Sequence, residues 1–352
     1  MDLEQRINAF VKLGTFLSQF SSEIPQRKDD IPFNELFFEG FNHQIKLAQE
    51  HNGWFTKENV TFSFNGWCNS LSYKNLNEWT RKYRFTHSKE KNVSIIMAGN
   101  IPLVGFHDFI SVLITGHHVL VKQSSNDKHL LPFLAKYLEH IEPDFKGRIS
   151  FTENKIENFD AVIATGSDNT ARYFEYYFKD KPSIIRKNRN SIAILKGDET
   201  ENELQLLSND IFRYYGLGCR NVSKLFIPRN YNFDGFFQGI YHWNPIMDGA
   251  KYANNYDYNK AVYLMSEFEM LENGFLMIKE DKSFASPIAT VFYEYYDSIE
   301  ELKLRLSNEE PNIQCVVSNG IFKNEVAFGQ TQKPQLWDYA DGVDTIAFLL
   351  KI

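Results

Sequence analysis

Apolar residues are spaced for helices at the start of the chain and gathered into short strand-like runs further along it. The first pattern predicts helices over residues 2–20, 33–51 and 69–84. Beyond residue 91, the apolar runs that alternate with helical segments lie at 93–98, 119–121, 160–164 and 192–195. Because strands that alternate with helices pair in parallel, this pattern predicts an α/β fold with helices on both faces of a parallel sheet.

The remainder of the chain continues the alternation. Helices are predicted at 231–242 and 247–267, and strands at 275–278, 288–293 and 313–317. The Asn65-Gly66 pair predicts a turn, and the apolar tail at 344–350 predicts a strand that covers or extends a sheet.

Composition narrows the class of protein. The chain has 352 residues, enough for one large or two medium domains, and its apolar fraction of 43% is ample for a packed core. A net charge of −7 and scattered basic residues argue against nucleic acid or an anionic membrane surface as a partner. No apolar run approaches the length of a membrane span, and the amino terminus lacks the pattern of a signal peptide.

The three cysteines, Cys68, Cys219 and Cys315, lie far apart in the sequence. Their spacing matches neither a disulfide framework nor a metal site, so we expect reduced thiols, no bound metal and a cytoplasmic protein. Cys219 follows Gly216-Leu217-Gly218, which places it on a tight connection between a helix and a strand. A neighbouring cation lowers a thiol pKa, and Arg220 could activate Cys219 as a nucleophile in this way. The alternative is a small residue that packs at a helix end.

Polar turns follow the predicted strands at their carboxyl ends. Asn100 lies after the first strand, Lys122 ends the second, and Gly166-Ser167 follows the third. Ligands of parallel sheets bind at this edge, and a serine that caps the next helix leaves backbone N–H groups for a phosphate. The alternatives are ordinary turn residues at Asn100 and Gly166-Ser167, and a solvated lysine at Lys122.

In their order and spacing, these turns resemble the motifs of the aldehyde dehydrogenase superfamily. Gly99-Asn100-Ile101-Pro102 resembles that family's Asn-Phe-Pro turn, and Val121-Lys122-Gln123-Ser124 resembles its Lys-Pro-Ser turn. Ala164-Thr165-Gly166-Ser167 resembles its Phe-Thr-Gly-Ser motif, and Gly216-Leu217-Gly218-Cys219 resembles its nucleophile segment. The resemblance covers residues 91 to about 293, and it implies two Rossmann-like parallel-sheet domains with the active site between them.

Within the superfamily, two departures make the chain most similar to the LuxC-type acyl-CoA reductases. Ile185 stands where hydrolytic members carry the glutamate that activates water, so water attack on an acyl-enzyme is expected to be slow. Ser125 stands where the family's Lys-Pro-Ser-Glu glutamate binds the adenosine ribose, which makes room for a 2′-phosphate. The resemblance thus implies NADPH as the cofactor and an acyl-CoA thioester as the substrate.

The resemblance also implies roles for single residues. Cys219 is the nucleophile, and the side-chain amide of Asn100 and the backbone N–H of Cys219 stabilise the oxyanion. The residues implied to hold the cofactor are Lys122, Ser124, Ser125, Thr165, Gly166 and Ser167. Tyr214 and Tyr215, just before the nucleophile, either line an acyl tunnel or pack the preceding helix.

On this interpretation, residues 1–196 form the cofactor-binding domain with its helical amino-terminal segment, and residues 197–322 form the catalytic domain. Residues 323–352 return to the sheet or contact another subunit of a homo-oligomer. The expected activity is NADPH-dependent reduction of an acyl-CoA to the aldehyde, with release of coenzyme A. Two alternatives stay open: an acyl-phosphate reductase or aldehyde-oxidising enzyme on the same fold, and a catalytically silent cofactor-binding interaction protein.

Overall fold

The structure is a computed structural model, and it describes residues 1–85 and 89–352. The chain forms two compact units. The first unit consists of Met1–Lys187 together with Gln335–Ile352, and the second consists of Asn188–Pro334.

The described residues form both helices and strands, and the strands begin after the four amino-terminal helices. The helices are α1 (Leu3–Leu17), α2 (Asn34–His51), α3 (Lys57–Ser70), α4 (Tyr73–Thr80), α5 (Phe106–Ile114), α6 (Leu130–Ile141), α7 (Asp168–Tyr177), α8 (Glu201–Phe212), α9 (Phe233–Ile240), α10 (Ala250–Met265), α11 (Ile299–Asn308) and α12 (Thr345–Leu349). The strands are β1 (Asn92–Ile96), β2 (His118–Lys122), β3 (Ile149–Thr152), β4 (Ala161–Thr165), β5 (Ser183–Arg186), β6 (Asn190–Ile194), β7 (Val222–Pro228), β8 (Leu271–Glu272), β9 (Met277–Glu280), β10 (Thr290–Tyr296) and β11 (Ile313–Val317).

The amino-terminal helices pack through one apolar face each. In α1, Ile7, Phe10, Leu13 and Leu17 recur every three or four residues and are buried. The helix begins with a capping box at Asp2, whose side chain accepts a hydrogen bond from the Gln5 backbone N–H. The helices predicted at 2–20 and 33–51 are therefore confirmed, as α1 with its following 3₁₀ turn and as α2.

The sheet of the first unit is parallel, in the order β3-β2-β1-β4-β5. The chain adds strands outward from β1 to β3 and then returns to place β4 on the other side of β1. Ile96, at the end of β1, pairs with Lys122 on β2 and with Ala164 on β4. The three predicted turns therefore begin at one edge of one sheet, at the point where the strand order reverses.

The second unit contains a six-stranded sheet in the order β11-β6-β7-β10-β9-β8. Its pairings are parallel except for β8, which runs antiparallel to β9 at the edge. Strand β6 pairs with β7 and β11, so the boundary between the units follows Lys187 rather than residue 196. The functional roles that the sequence assigns to the two parts stay predictions, while the α/β fold is confirmed.

Two local predictions are wrong. Asn65-Gly66 lies inside α3, where a side chain at Gly66 would meet nothing within 4 Å and the backbone needs no turn. The carboxyl-terminal tail forms the helix α12 instead of a strand, because the Asp344 side chain caps it by accepting from the Ala347 N–H. Leu349 and other apolar residues of α12 are buried in the core of the first unit. The sequence does not predict strands β3, β5 and β8 or helix α3.

None of the helices in residues 1–85 and 89–352 combines the length and the hydropathy that crossing a bilayer requires.

Candidate active site

The turn that follows β1, residues 99–103, is here called the edge turn. Other segments of the first unit hold its backbone. Ser63 Oγ on α3 donates to the Pro102 carbonyl at 3.0 Å, and Asn52 Nδ2, just past α2, donates to the Gly99 carbonyl at 3.4 Å. Asp127 Oδ2 accepts from the Leu103 N–H at 3.0 Å. Asn100 therefore lies on a turn whose conformation is set from three sides.

Asp127 is the ionisable member of this set. Its carboxyl is buried, and burial raises its pKa from 3.8 to about 6, while the hydrogen bond from Leu103 N–H acts in the opposite direction. Its Oδ1 atom is buried without a hydrogen-bond partner. The edge turn is thus fastened by a group that changes charge in mildly acidic solution.

The turn after β2 lies directly against the edge turn. A side chain at Gly99 would come within 2.5 Å of Ser124 Oγ, so only glycine allows this approach. Ser124 Oγ accepts a hydrogen bond from the Asn126 N–H at 3.2 Å. The structure therefore brings the predicted site residues Asn100, Lys122 and Ser124 to neighbouring turns of one sheet edge.

Ser125 is exposed, as a ribose-binding position requires. The His51 ring Nε2, at the end of α2, donates to the Ser125 carbonyl at 2.8 Å, and the His51 and His129 rings lie 5.5 Å apart, edge to face. Burial, with help from His51 and Lys128, lowers the pKa of His129. His51 and His129 thus lie near the position where the sequence lacks a carboxylate.

The turn after β4 carries Thr165, Gly166 and Ser167. Ser167 is the N-cap of α7, since its Oγ accepts from the Thr170 N–H at 3.4 Å, and the predicted cap is confirmed. A side chain at Gly166 would come within 3.0 Å of the Thr170 side chain and 3.1 Å of the Phe174 ring. The absent side chain keeps the backbone close to the amino-terminal end of α7.

Ile185, which stands in place of the hydrolytic glutamate, lies half-buried on β5, paired with Ala164. Successive side chains of a strand point to opposite faces, so Ile185 points away from its neighbour Arg186. Arg186 forms a buried bidentate ion pair with Asp108 on α5 and also donates to Thr345 Oγ1 at 3.2 Å. This pair fastens α5, β5 and α12 within the first unit.

Cys219 lies in the second unit, on the loop of residues 213–221 between α8 and β7, here called the nucleophile loop. Its residue is exposed, and the three cysteines are reduced. Ser191 Oγ on β6 donates to the Cys219 carbonyl at 2.9 Å. Gly216 has a φ of 75°, and the two tyrosines before it, Tyr214 and Tyr215, are also left-handed, at 55° and 59°.

The charged neighbour of Cys219 braces the loop. The Arg220 guanidinium donates to the Thr331 carbonyl and to Cys315 Sγ, both at 3.4 Å. Thr331 is in turn held by Asp210 on α8, whose carboxylate accepts from the Thr331 N–H at 3.0 Å and from its hydroxyl at 2.8 Å. We therefore expect Arg220 to fix the loop as well as to add positive charge beside Cys219.

A small cavity lies beneath the nucleophile loop, inside the second unit. Tyr215 and Gly216 line it on one side, and Tyr252 and residues 286–291 line it on others. Its volume is about 30 Å³, which is room for a small group only. Tyr214 is buried. The acyl tunnel suggested for these tyrosines stays a prediction.

Sequence reasoning missed the residues that support both loops. Ser63, Asn52 and Asp127 hold the edge turn, and Ser191 and Asn221 hold the nucleophile loop. None belongs to a motif of its own. The one available signal was position, because Asn221 is two residues from Cys219 and Asp127 is five residues from Lys122.

The sequence profile of the acyl-CoA reductase (LuxC) family matches residues 71–233, a segment that contains the turns after β1, β2 and β4 as well as Cys219. Over these residues, just under half of the chain, the protein is similar to the LuxC-type acyl-CoA reductases. This confirms the resemblance drawn from the motifs. A search of the curated proteins finds no match.

Aldehyde dehydrogenases are among the solved structures that share the fold of this chain. Aldehyde dehydrogenase 21 of Physcomitrella patens, in complex with the reaction product succinate, is 14% identical with a TM-score of 0.68, covering 100% of this chain and 84% of that one. The AldA indole-3-acetaldehyde dehydrogenase of P. syringae, in complex with NAD⁺ and IAA, is 13% identical with a TM-score of 0.65, covering 90% and 72%. An aldehyde dehydrogenase of Bacillus cereus, in complex with NAD⁺, is 14% identical with a TM-score of 0.60, also covering 90% and 72%. At these identities the likeness shows the fold, and with the family match it supports an aldehyde-related oxidoreductase.

Proposed function

We propose that this protein reduces an acyl-CoA thioester to the aldehyde, with NADPH as the reductant and Cys219 as a covalent nucleophile. The observation that carries the proposal is the exposed Cys219 on a loop whose backbone is held by Ser191 and Asn221. The LuxC family match, which includes this loop, supports the choice of an acyl-CoA substrate.

In the proposed reaction, the Cys219 thiolate attacks the thioester carbon, and coenzyme A leaves as its thiolate when its bond to that carbon breaks. The Asn100 amide and the Cys219 backbone N–H donate to the oxyanion that forms during this exchange. Bound NADPH supplies the hydride that takes the acyl group to the oxidation level of the aldehyde. Cys219 Sγ is then the leaving group, and the thiolate is restored as the aldehyde departs.

The turns of the first unit fit a dinucleotide on their own geometry. Gly99 and Gly166 let these turns pack closely against Ser124 and the start of α7, because a side chain at either position would clash there. The N–H groups at the start of α7 favour a phosphate. The NAD⁺ complexes of the neighbours from P. syringae and Bacillus cereus support a nicotinamide cofactor. The residues that would hold it are Lys122, Ser124, Ser125, Thr165, Gly166 and Ser167.

Exchange with coenzyme A is favoured over hydrolysis by the side chain at position 185. An isoleucine cannot take a proton from water, whereas a thiolate needs no base to act as a nucleophile. Ile185 is placed on β5 beside β4, with no carboxyl group of its own to activate water.

The test is NADPH oxidation by the purified protein with acyl-CoAs of graded chain length, an acyl phosphate, and the matching aldehyde with NADP⁺. Acyl-CoA is expected to be the preferred substrate. Cys219→Ala is expected to abolish the reaction and to leave NADPH binding, followed by fluorescence, unchanged. Cys68→Ala is the matched control, since burial raises the pKa of this thiol in the first unit to about 12 and leaves it unreactive.

Comparable reduction of acyl-CoA by Cys219→Ala would show that the nucleophile is assigned to the wrong residue. Preference for the acyl phosphate, or for oxidation of the aldehyde, would replace the proposed reaction with that one. Binding of NADPH without any of these reactions would favour the silent binding protein.

A further inference from the structure

Asn221 makes more hydrogen bonds than its place after Cys219 suggests. The residue is 3% exposed. Its Nδ2 donates to the carbonyls of Asp210 at 3.1 Å, Ile211 at 3.2 Å and Arg213 at 2.8 Å. Its Oδ1 accepts from the Gly218 N–H at 2.8 Å. One buried amide therefore joins the end of α8 to the residue before the nucleophile.

These partners are groups that a helix end leaves unsatisfied. Helix α8 ends at Phe212, and the carbonyls of its last turn have no N–H partner within the helix. After it, Tyr214, Tyr215 and Gly216 turn the chain sharply, all three with positive φ. Asn221 caps the helix from the far side of this turn, and its own N–H donates to the Gly218 carbonyl at 2.9 Å.

The backbone of Cys219 is consequently held on both sides. On the amino side, the Gly218 N–H and carbonyl are both bonded to Asn221. On the carboxyl side, Ser191 Oγ binds the Cys219 carbonyl. The direction of the Cys219 thiol and of its N–H depends on the peptide planes that these bonds orient.

We propose that Asn221 is the positioning residue of the nucleophile: it sets where the Cys219 thiol and N–H point without touching the reacting atoms. The inference rests on the proposed role of Cys219. An amide is required, because one side chain has to donate to carbonyl oxygens and accept from an N–H at once. An aspartate of the same shape presents only acceptors, and at least one of them would face the three carbonyls.

The experiment compares Asn221→Asp with Asn209→Asp. Asn209 is half-buried on the same helix, α8, and its side chain donates to the Gln205 carbonyl at 3.2 Å and to none of the described groups around Cys219, so this control matches the change in charge and chemistry. The first readout is the rate at which iodoacetamide alkylates Cys219 across pH, with the label located by mass spectrometry. The others are kcat, KM for acyl-CoA, the dissociation constant of NADPH and the melting temperature.

We expect Asn221→Asp to lower the Cys219 alkylation rate at least tenfold and kcat by about 10²-fold, the usual cost of a misplaced reacting group. KM for acyl-CoA and NADPH binding should stay within about twofold of the wild type, and so should every value for Asn209→Asp. Asn221→Ser, which is smaller and uncharged, should also lower alkylation and kcat. A cooperative melting transition together with the wild-type circular dichroism spectrum shows that the variants are folded.

Wild-type alkylation and kcat in both Asn221 variants would overturn the inference. So would a lower melting temperature with unchanged reactivity in the folded protein, because that result describes a purely structural residue. If the wild-type Cys219 is alkylated rapidly and Asn221→Asp slows it, but no acyl-CoA is reduced, the proposed function fails and the positioning of a reactive thiol stands.

Discussion

The edge turn and the nucleophile loop are both short connections at strand ends, but they are held in different ways. The edge turn is fastened by side chains distant in sequence, since Ser63 lies 39 residues from Pro102 and Asn52 lies 47 residues from Gly99. The nucleophile loop is fastened mainly by Asn221, which belongs to the loop itself. The amino-terminal helices therefore have a structural role at the site. They contain no catalytic motif, yet their residues hold the turn that carries Asn100.

The fastening groups differ in charge as well as in distance. Asp127 holds the edge turn with a carboxyl group that titrates, while Asn221 holds the nucleophile loop with an amide that does not. We therefore expect pH to affect the anchoring of the first turn more directly than that of the second. Three predictions test the comparison, in order of decreasing expected effect.

The first prediction concerns Asp127→Asn and the pH dependence of unfolding. Burial raises the pKa of Asp127 from 3.8 to about 6 in the folded protein, so the folded state holds this proton more tightly than the unfolded state. Its stabilising contribution is complete below pH 3.8 and is lost as the pH rises through about 6. A difference of about two pKa units corresponds to about 3 kcal/mol of unfolding free energy. Asparagine does not titrate, so the variant does not lose this free energy as the pH rises.

Denaturant unfolding of the wild type and Asp127→Asn at about pH 4 and about pH 7 measures this effect. The free energy of unfolding of the variant, relative to that of the wild type, should rise by roughly 2.5 kcal/mol between the two pH values, because a small part of the effect is already present at about pH 4. A constant cost of the substitution does not change this difference. Asp30→Asn, at an exposed position of the same unit, is the control and should show no such rise. Parallel pH profiles for wild type and Asp127→Asn would contradict the assignment.

The second prediction concerns Asn100→Ala, which removes a proposed oxyanion donor and leaves the fastening of the edge turn in place. We expect kcat to fall by about 10²-fold, the usual size for one lost donor, with NADPH binding unchanged. Asn126→Ala, the same change at an exposed position of the neighbouring turn, is the control and should retain most of the activity. If steady-state assays give folded Asn100→Ala full turnover, the edge turn has no part in the chemistry.

The sequence predicts the turns and the loop that carries Cys219, but not the side chains that hold them, for identifiable reasons. Cys219 and Gly166 stand in local motifs, where glycine marks a required backbone conformation or close approach. Ser63 lies in α3 and Asn52 directly follows α2, and their partners are known only once those helices pack. Asn221 resembles a turn residue in sequence, and the left-handed turn that brings α8 to it is built from tyrosines, which rarely adopt that conformation.

The secondary structure was also predicted well only where the local sequence carries a repeated pattern. Long amphipathic helices such as α1 and α2 were predicted within a few residues, because their apolar period repeats many times. Strands β3 and β5 are four residues long, too short to show a period, and both lie at the edges of the first sheet. The tail at 344–350 has the apolar composition of a strand, and its cap at Asp344 decided the outcome for a helix.

The last prediction concerns the choice between NADPH and NADH at Ser125. The exposed Ser125 has Lys122 and Lys128 close in sequence, and His51 binds its carbonyl oxygen. It has no carboxylate of its own to repel a 2′-phosphate. A cation close to such a phosphate contributes on the order of 1–3 kcal/mol, so kcat/KM should favour NADPH at least tenfold, since about 1.4 kcal/mol is a factor of ten. Ser125→Glu should erase or reverse this preference, while Asn8→Glu, with the same added charge on exposed α1, should keep it. The measurement is kcat/KM for NADPH and for NADH in the wild type and in both variants. Equal use of the two nucleotides by the wild type would refute the preference for NADPH. An unaltered preference in Ser125→Glu would place Ser125 away from the ribose.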